Sequence, residues 1–165
     1  MIENDLEKRI LILDGAMGTM LQASGIESEC ADLLNLSHPE VIGDIHSQYI
    51  AAGADILETN TFNLCGYQVT RAGAQIARKA ADISERKVYV AGVLGPHSEG
   101  DLFRAYDENA RALIDGGCDL IMIETVFYPI NLKIALYTLD RIFSEIGKPL
   151  PVMVSATIND KSGRL

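Results

Sequence analysis

Cysteine is scarce in this chain and solitary where it occurs: Cys30, Cys65 and Cys118 stand far apart, with no CxxC pair. That spacing excludes a disulfide framework, and a metal site made from these three alone would require the fold to gather them. Each is expected to be a small buried hydrophobe in a reducing, cytoplasmic setting. Long apolar runs are missing as well. No stretch approaches the roughly 18 apolar residues of a membrane span. The N-terminal MIENDLEKR is charged and lacks the apolar core of a secretory signal. Positive charge is the third shortage. Fourteen Lys and Arg against 23 Asp and Glu leave a net charge of −9. An acidic surface repels phosphates, so neither nucleic acid nor an anionic membrane is an expected partner. Phosphate-cradling motifs are absent too. The turn GAMGT (15–19) has neither the G-x-G-x-x-G spacing nor a P-loop lysine, and Asp14 beside it would repel a phosphate.

What is present is an ordinary globular composition, 48% hydrophobic and 22% charged, in which strand-like and helix-like segments alternate. ILIL (10–13) is a short continuous apolar run, as expected of a strand buried on both faces. Ser37, Pro39 and Glu40 read as a capping box opening a helix with an apolar stripe at Val41, Ile42, Ile45 and Tyr49, ended by Gly53. Strands are expected at 54–62, 87–96, 119–125 and 149–158. Helices are expected around 70–84, 101–115 and 131–146, the last two stopped by Gly116-Gly117 and Gly147. Five strands separated by four helices, with short loops, predict a parallel sheet with crossover helices.

A weak internal repeat adds to this. GADILETNTF (53–62) and GCDLIMIETVF (117–127) share Gly-x-Asp, an apolar run and Glu-Thr with a Phe shortly after, a period of about two βα units. Repeated units favour a (β/α)8 TIM barrel over a doubly wound sheet. A complete barrel takes about 250 residues. The chain is therefore expected to supply about the first five strands and four helices, with edges to be closed by remaining barrel strands or by a second copy.

Ligands in such sheets bind at the carboxyl ends of the strands. The polar residues there are Asp14-Gly15, Glu58-Thr59-Asn60, His97-Ser98, Glu124-Thr125, and Thr157 with Asn159 and Asp160. A carboxylate ending an apolar strand costs several kcal/mol unless it is paired or hydrogen-bonded. Asp14 and Glu124 together therefore ask for a cation. The ammonium of a small amino acid would serve, with backbone N–H groups of the 15–18 turn meeting its carboxylate. Other readings stand beside this one: Asp14 as a turn or helix cap, Glu124 in a salt bridge to a barrel Lys or Arg, or both as metal or acid–base carboxylates of an unrelated barrel lyase. His38, His46, Met17 and Met20 read as surface or packing residues.

LDGAMGTMLQ (13–22), HPEVIGDIHSQYIAAGADILETNTF (38–62), VAGVLGP (90–96), GGCDLIMIETVF (116–127) and SATINDKSGRL (155–165) together resemble the homocysteine S-methyltransferase family. Within it the likeness is nearest to the homocysteine-binding module of the cobalamin-dependent, methionine synthase type. The resemblance implies that residues 1–165 are the N-terminal part of a homocysteine-binding (β/α) barrel domain. It implies a methyltransferase in which zinc activates the homocysteine thiol, with cobalamin and folate modules elsewhere in the parent protein. Residue by residue, Asp14 and Glu124 match the acids that hold the homocysteine amino group. Gly15 matches the turn meeting its carboxylate, and Asn60 matches a position lining the same pocket. The family's three zinc cysteines lie in later segments that do not occur here, so no catalytic or metal-binding residue is assigned, and zinc ligands are expected beyond this chain. The helix before Val88 and the loop after Pro96 are short against the family pattern. Taken alone, the chain is expected to be inactive. The alternatives are a non-catalytic half-barrel that self-associates, or a homocysteine methyltransferase of the betaine or S-methylmethionine type.

Overall fold

The computed structural model describes residues 2–26, 28–98, 100–158, 161 and 163. In chain order the elements are α1 (Ile2–Leu6), α2 (Met17–Ala23), a 3-10 turn (Ala31–Leu33), α3 (Leu34–Ser37), α4 (Pro39–Ala52) and β1 (Ile56–Glu58). They continue with α5 (Tyr67–Ile83), β2 (Tyr89–Leu94), α6 (Leu102–Asp115), β3 (Leu120–Val126), α7 (Pro129–Ile146) and β4 (Val152–Ala156). The strands form one parallel sheet in the order β1-β2-β3-β4, with one long helix between each successive pair.

The alternation along the strands decides the architecture. Leu57, Val90, Leu94, Ile121 and Ile123 point to one side of the sheet. There they pack against Ala74 and Ala77 of α5, Tyr106, Ala110 and Leu113 of α6, and Ala135, Leu139 and Ile142 of α7. Ile56, Tyr89, Ala91, Val93, Leu120 and Met122 point to the other side, into a second buried cluster that Ile2 of α1 joins. All the crossover helices thus sit on one face while the opposite face is filled by strand side chains. This is the arrangement of a partial (β/α)8 barrel, since a doubly wound sheet carries helices on both faces.

Two sequence expectations are corrected. ILIL does not form a full strand: it joins the sheet through a single parallel bridge, Leu13 to Ile56, so the sheet has four strands plus this bridge. The reason lies in Asp55, whose carboxylate accepts the Ile12 N–H (3.0 Å) and faces Arg9 and Arg86. The segment is held there by a side chain where a longer ladder would use backbone. Ile10 and Ile12 remain exposed at 83% and 54%, and Val154 on the opposite edge is 45% exposed. The capping box at 37–40 does not form either. Ser37 ends α3, donating its hydroxyl to Leu33 C=O, and His38 is the N-cap of α4 without a side-chain cap bond. Pro39 in the first turn, and Gly53 and Gly147 in left-handed conformations (φ 110° and 67°) at helix ends, are as expected.

β1 is only three residues long because side chains take over the ladder beyond it. The Thr59 hydroxyl accepts the Val93 N–H (2.9 Å) and pairs with the Thr61 hydroxyl (2.7 Å), which donates to Val93 C=O (2.8 Å). The loop so pinned passes so close to β2 that a Cβ on Gly95 would lie 2.2 Å from the Phe62 carbonyl oxygen. Backbone cannot yield as a side chain would. Gly95→Ala is therefore expected to lower the unfolding free energy by about 1–3 kcal/mol, read by urea denaturation. Wild-type stability in that variant would show that the 59–63 loop is free to move.

Candidate substrate cavity

The carboxyl ends of the strands open into a cavity of about 460 Å³ whose lining includes Asp14, Gly15, Met17, Asp32, Glu58, Asn60 and Glu124. A cleft of similar size between α2 and α3, about 510 Å³, has no titratable side chain in its lining.

Three carboxylates of this cavity face one another. Asp14 follows the Leu13 bridge and accepts the Glu58 N–H at its Oδ1 (3.1 Å). Burial pushes its pKa up to about 7, and the Glu124 charge adds to the rise while the Glu58 N–H opposes it. Glu58 is likewise pushed up to about 7, by burial and then by the charges of Glu124 and Asp14. Glu124 is raised by burial. Among the described residues no Lys or Arg pairs with any of the three, and none lines the cavity. Asp14 is not the cap of α2, whose N-cap is Ala16, without a side-chain cap bond.

The backbone at Glu124 is unusual in a way that serves the site. The register between β3 and β4 shifts between Ile123 and Val126, and Thr125 has φ 56°, a left-handed conformation uncommon for a β-branched residue. A bulge of this kind re-aims the neighbouring side chain. Here the neighbour is Glu124, on an otherwise buried strand.

Gly15 lies against Tyr49: a Cβ there would be 2.8 Å from the ring edge and from the hydroxyl oxygen, and that hydroxyl donates to Ala16 C=O (3.2 Å). The absence of a side chain lets the turn sit flat on the ring with its backbone toward the cavity. Asn60 also lines the cavity, but its amide nitrogen donates to Ala31 C=O (2.8 Å) and to Asn35 Oδ1 (3.1 Å). It ties the 3-10 turn to the end of β1. Asp32 belongs to the lining as well. It is fully buried, accepts the Asn63 N–H (2.8 Å) and side-chain amide (2.9 Å), and is not legible in the sequence as a site residue.

The remaining candidates fall elsewhere. His97 is outside the lining, and its carbonyl accepts the Asn131 amide (2.9 Å). Thr157 donates its N–H to Val126 C=O (3.0 Å), and Asn159 and Asp160 lie outside the described residues. His46 is a core residue, fully buried, its pKa pushed down to about 4 by burial. Cys118 is buried behind the sheet, its sulfur near Gly92, while Cys30 and Cys65 bring their sulfurs to 3.1 Å of each other outside the lining. No helix among the described residues is long and apolar enough to cross a membrane.

Residues 11–165 match the family model described as homocysteine S-methyltransferase. Among solved structures the chain is similar to the homocysteine methyltransferase MmuM from Escherichia coli. To the apo form it is 28% identical with a TM-score of 0.73, covering 94% of this chain and 62% of that one. To the oxidized form the values are 24% identity, TM-score 0.75, and 94% and 65% coverage. To the metallated form they are 22% identity, TM-score 0.77, and 96% and 67% coverage. The chain thus spans about two-thirds of the length of the structures it matches.

Proposed function

The chain belongs to the homocysteine S-methyltransferase family, and from that premise we propose that its acidic cavity binds L-homocysteine for S-methylation to methionine. The observation that carries this reading is the set of three mutually facing carboxylates, Asp14, Glu58 and Glu124, with no Lys or Arg among them in the described residues. An α-ammonium group brings one positive charge and three N–H donors on a small centre, which such a set accepts. Asp14 and Glu124 hold the ammonium, and Glu58 adds charge beside them. The backbone N–H groups of the 15–18 turn, in the lining of the same cavity, receive the ligand carboxylate. The substrate's amino-acid end is then fixed while its thiol extends along the cavity.

A free thiol is mostly protonated at neutral pH, and a bound zinc ion would supply the thiolate nucleophile. The cysteines of this chain do not fit that task. Cys118 is behind the sheet, and neither Cys30 nor Cys65 lines the cavity. The zinc of the family reading is therefore assigned to residues other than these three, and what this chain contributes is binding and orientation. We infer methylcobalamin on a separate module as the methyl donor, supported by the segments ETNTF (58–62) and SATINDKSGRL (155–165), with betaine or S-methylmethionine as the alternative. Exposed Ile10, Ile12 and Val154 at the two sheet edges favour closure by further barrel strands or a second copy.

Calorimetry tests the binding step. L-homocysteine should give heat with the folded chain, and 4-mercaptobutyrate, which keeps the thiol and carboxylate but lacks the amino group, should give none. Equal binding of the two would remove the ammonium from the argument. Absence of heat with homocysteine would remove the reading for this chain.

A further inference from the structure

Cys30, Asp32 and Cys65, solitary in sequence, converge. Their Sγ and carboxylate oxygen atoms lie within 4.8 Å of one another, with the two sulfurs 3.1 Å apart. The three come from two segments that approach only in the fold. Cys30 precedes the 3-10 turn that carries Asp32, and Cys65 sits in the loop between β1 and α5. Asp32 is fully buried and held in place by both Asn63 donors. We propose that Cys30, Asp32 and Cys65 form a binding site for one thiophilic divalent cation of the zinc class at the edge of the substrate cavity, with Asp32 shared between the two and both sulfurs outside the lining.

Donor type and spacing carry the proposal. Two sulfurs and one carboxylate oxygen suit a tetrahedral zinc-class ion with water in the fourth position. Zn–S distances of about 2.3 Å place two tetrahedral sulfurs roughly 3.7 Å apart, so the thiols need to part by less than an ångström. Asp32, already held by Asn63, resembles the hydrogen-bonded carboxylates that orient metal ligands.

The rival use of two close thiols is a disulfide, which leaves the Asp32 carboxylate beside the sulfurs unused, whereas a cation takes all three donors. On binding, both S–H groups lose their protons to solvent, two S–metal bonds and one O–metal bond form, and no electrons are transferred. The ion would tie the 28–33 segment to the 62–66 loop, whose Ala31, Asp32 and Asn63 border the cavity.

The test uses the whole chain, reduced and stripped of metal, with Co²⁺ as probe. Expected are a thiolate-to-cobalt charge-transfer band saturating at one equivalent, displacement by Zn²⁺, and release of about two protons per ion at neutral pH. Cys30→Ser and Cys65→Ser, each shown folded by circular dichroism, should lose the band, and Cys118→Ser should keep it. No band in the folded wild-type chain, or a band unchanged in either Cys30→Ser or Cys65→Ser, would overturn the site. So would a Cys30–Cys65 disulfide as the sole product when Zn²⁺ and oxidised glutathione are offered together.

Discussion

Replacing Asp14 by Asn and Glu124 by Gln together will weaken L-homocysteine binding by about two to four orders of magnitude near neutral pH and raise the melting temperature in the same protein. The binding loss follows from two charge-assisted hydrogen bonds, each worth about 1.5–3 kcal/mol, with 1.4 kcal/mol to each tenfold change in affinity. The stability gain has the same origin. Asp14, Glu58 and Glu124 repel one another in the empty cavity, and burial adds to the cost of their charges. Neutral amides of nearly the same shape remove that cost, and the amide oxygen that Asp14→Asn introduces can still accept the Glu58 N–H that Asp14 accepts at 3.1 Å. Relief of about 1 kcal/mol corresponds to a rise of about 2–4 °C in a domain of this size. Asp14→Ala provides the contrast: it removes the acceptor as well as the charge, and leaves the Glu58 N–H without its side-chain partner. Calorimetric titration and thermal melting on the same preparations decide the matter. An unchanged affinity with a lowered melting temperature would make these acids structural.

The repeated Glu-Thr makes half of this site legible. It places Glu58 and Glu124 at equivalent strand ends, and alternation places equivalent strand ends in one cavity. The sequence reading nevertheless gives Glu124 a role and passes over Glu58, because nothing in a linear pattern says that the first copy faces the same space as the second. Asp14 is readable because a carboxylate directly after an apolar run has few structural uses. Asp32 is not, since its role depends on Asn63 arriving from beyond β1 to hold it. Cys30 and Cys65 are misjudged for the same reason: 35 residues separate sulfurs that the fold brings to 3.1 Å. Among the elements, helices with strong apolar periodicity, such as α6 and α7, are readable nearly to their ends. The 10–13 segment is not, because a side chain, Asp55, accepts the Ile12 N–H.

Homocysteine affinity will increase as pH rises from about 6 to 8, by roughly tenfold for each carboxylate that must ionise to receive the ammonium. Asp14 and Glu58 in the empty cavity have pKa values near 7, well above the ordinary carboxylate range they regain on unfolding. Between about pH 4 and 7 these two carboxyl groups therefore hold more protons in the folded chain than in the unfolded one, and their contribution to stability falls as pH rises through that window, while buried His46 contributes the opposite slope below about pH 6.5. Ligand binding reverses the sign, because a positive charge at the centre of the set draws the carboxylate pKa values back down. Protons are then released as the complex forms, most strongly near pH 6, where the empty site is largely protonated. Titrations in buffers of different ionisation enthalpy measure that release directly. Thermal melts from pH 4 to 8 in the absence of ligand measure the opposing slope. The Asp14→Asn, Glu124→Gln protein should flatten both profiles together. An affinity constant across this range, with no proton released, would mean that the acids are ionised before the ligand arrives and that a cation other than the ligand already neutralises them.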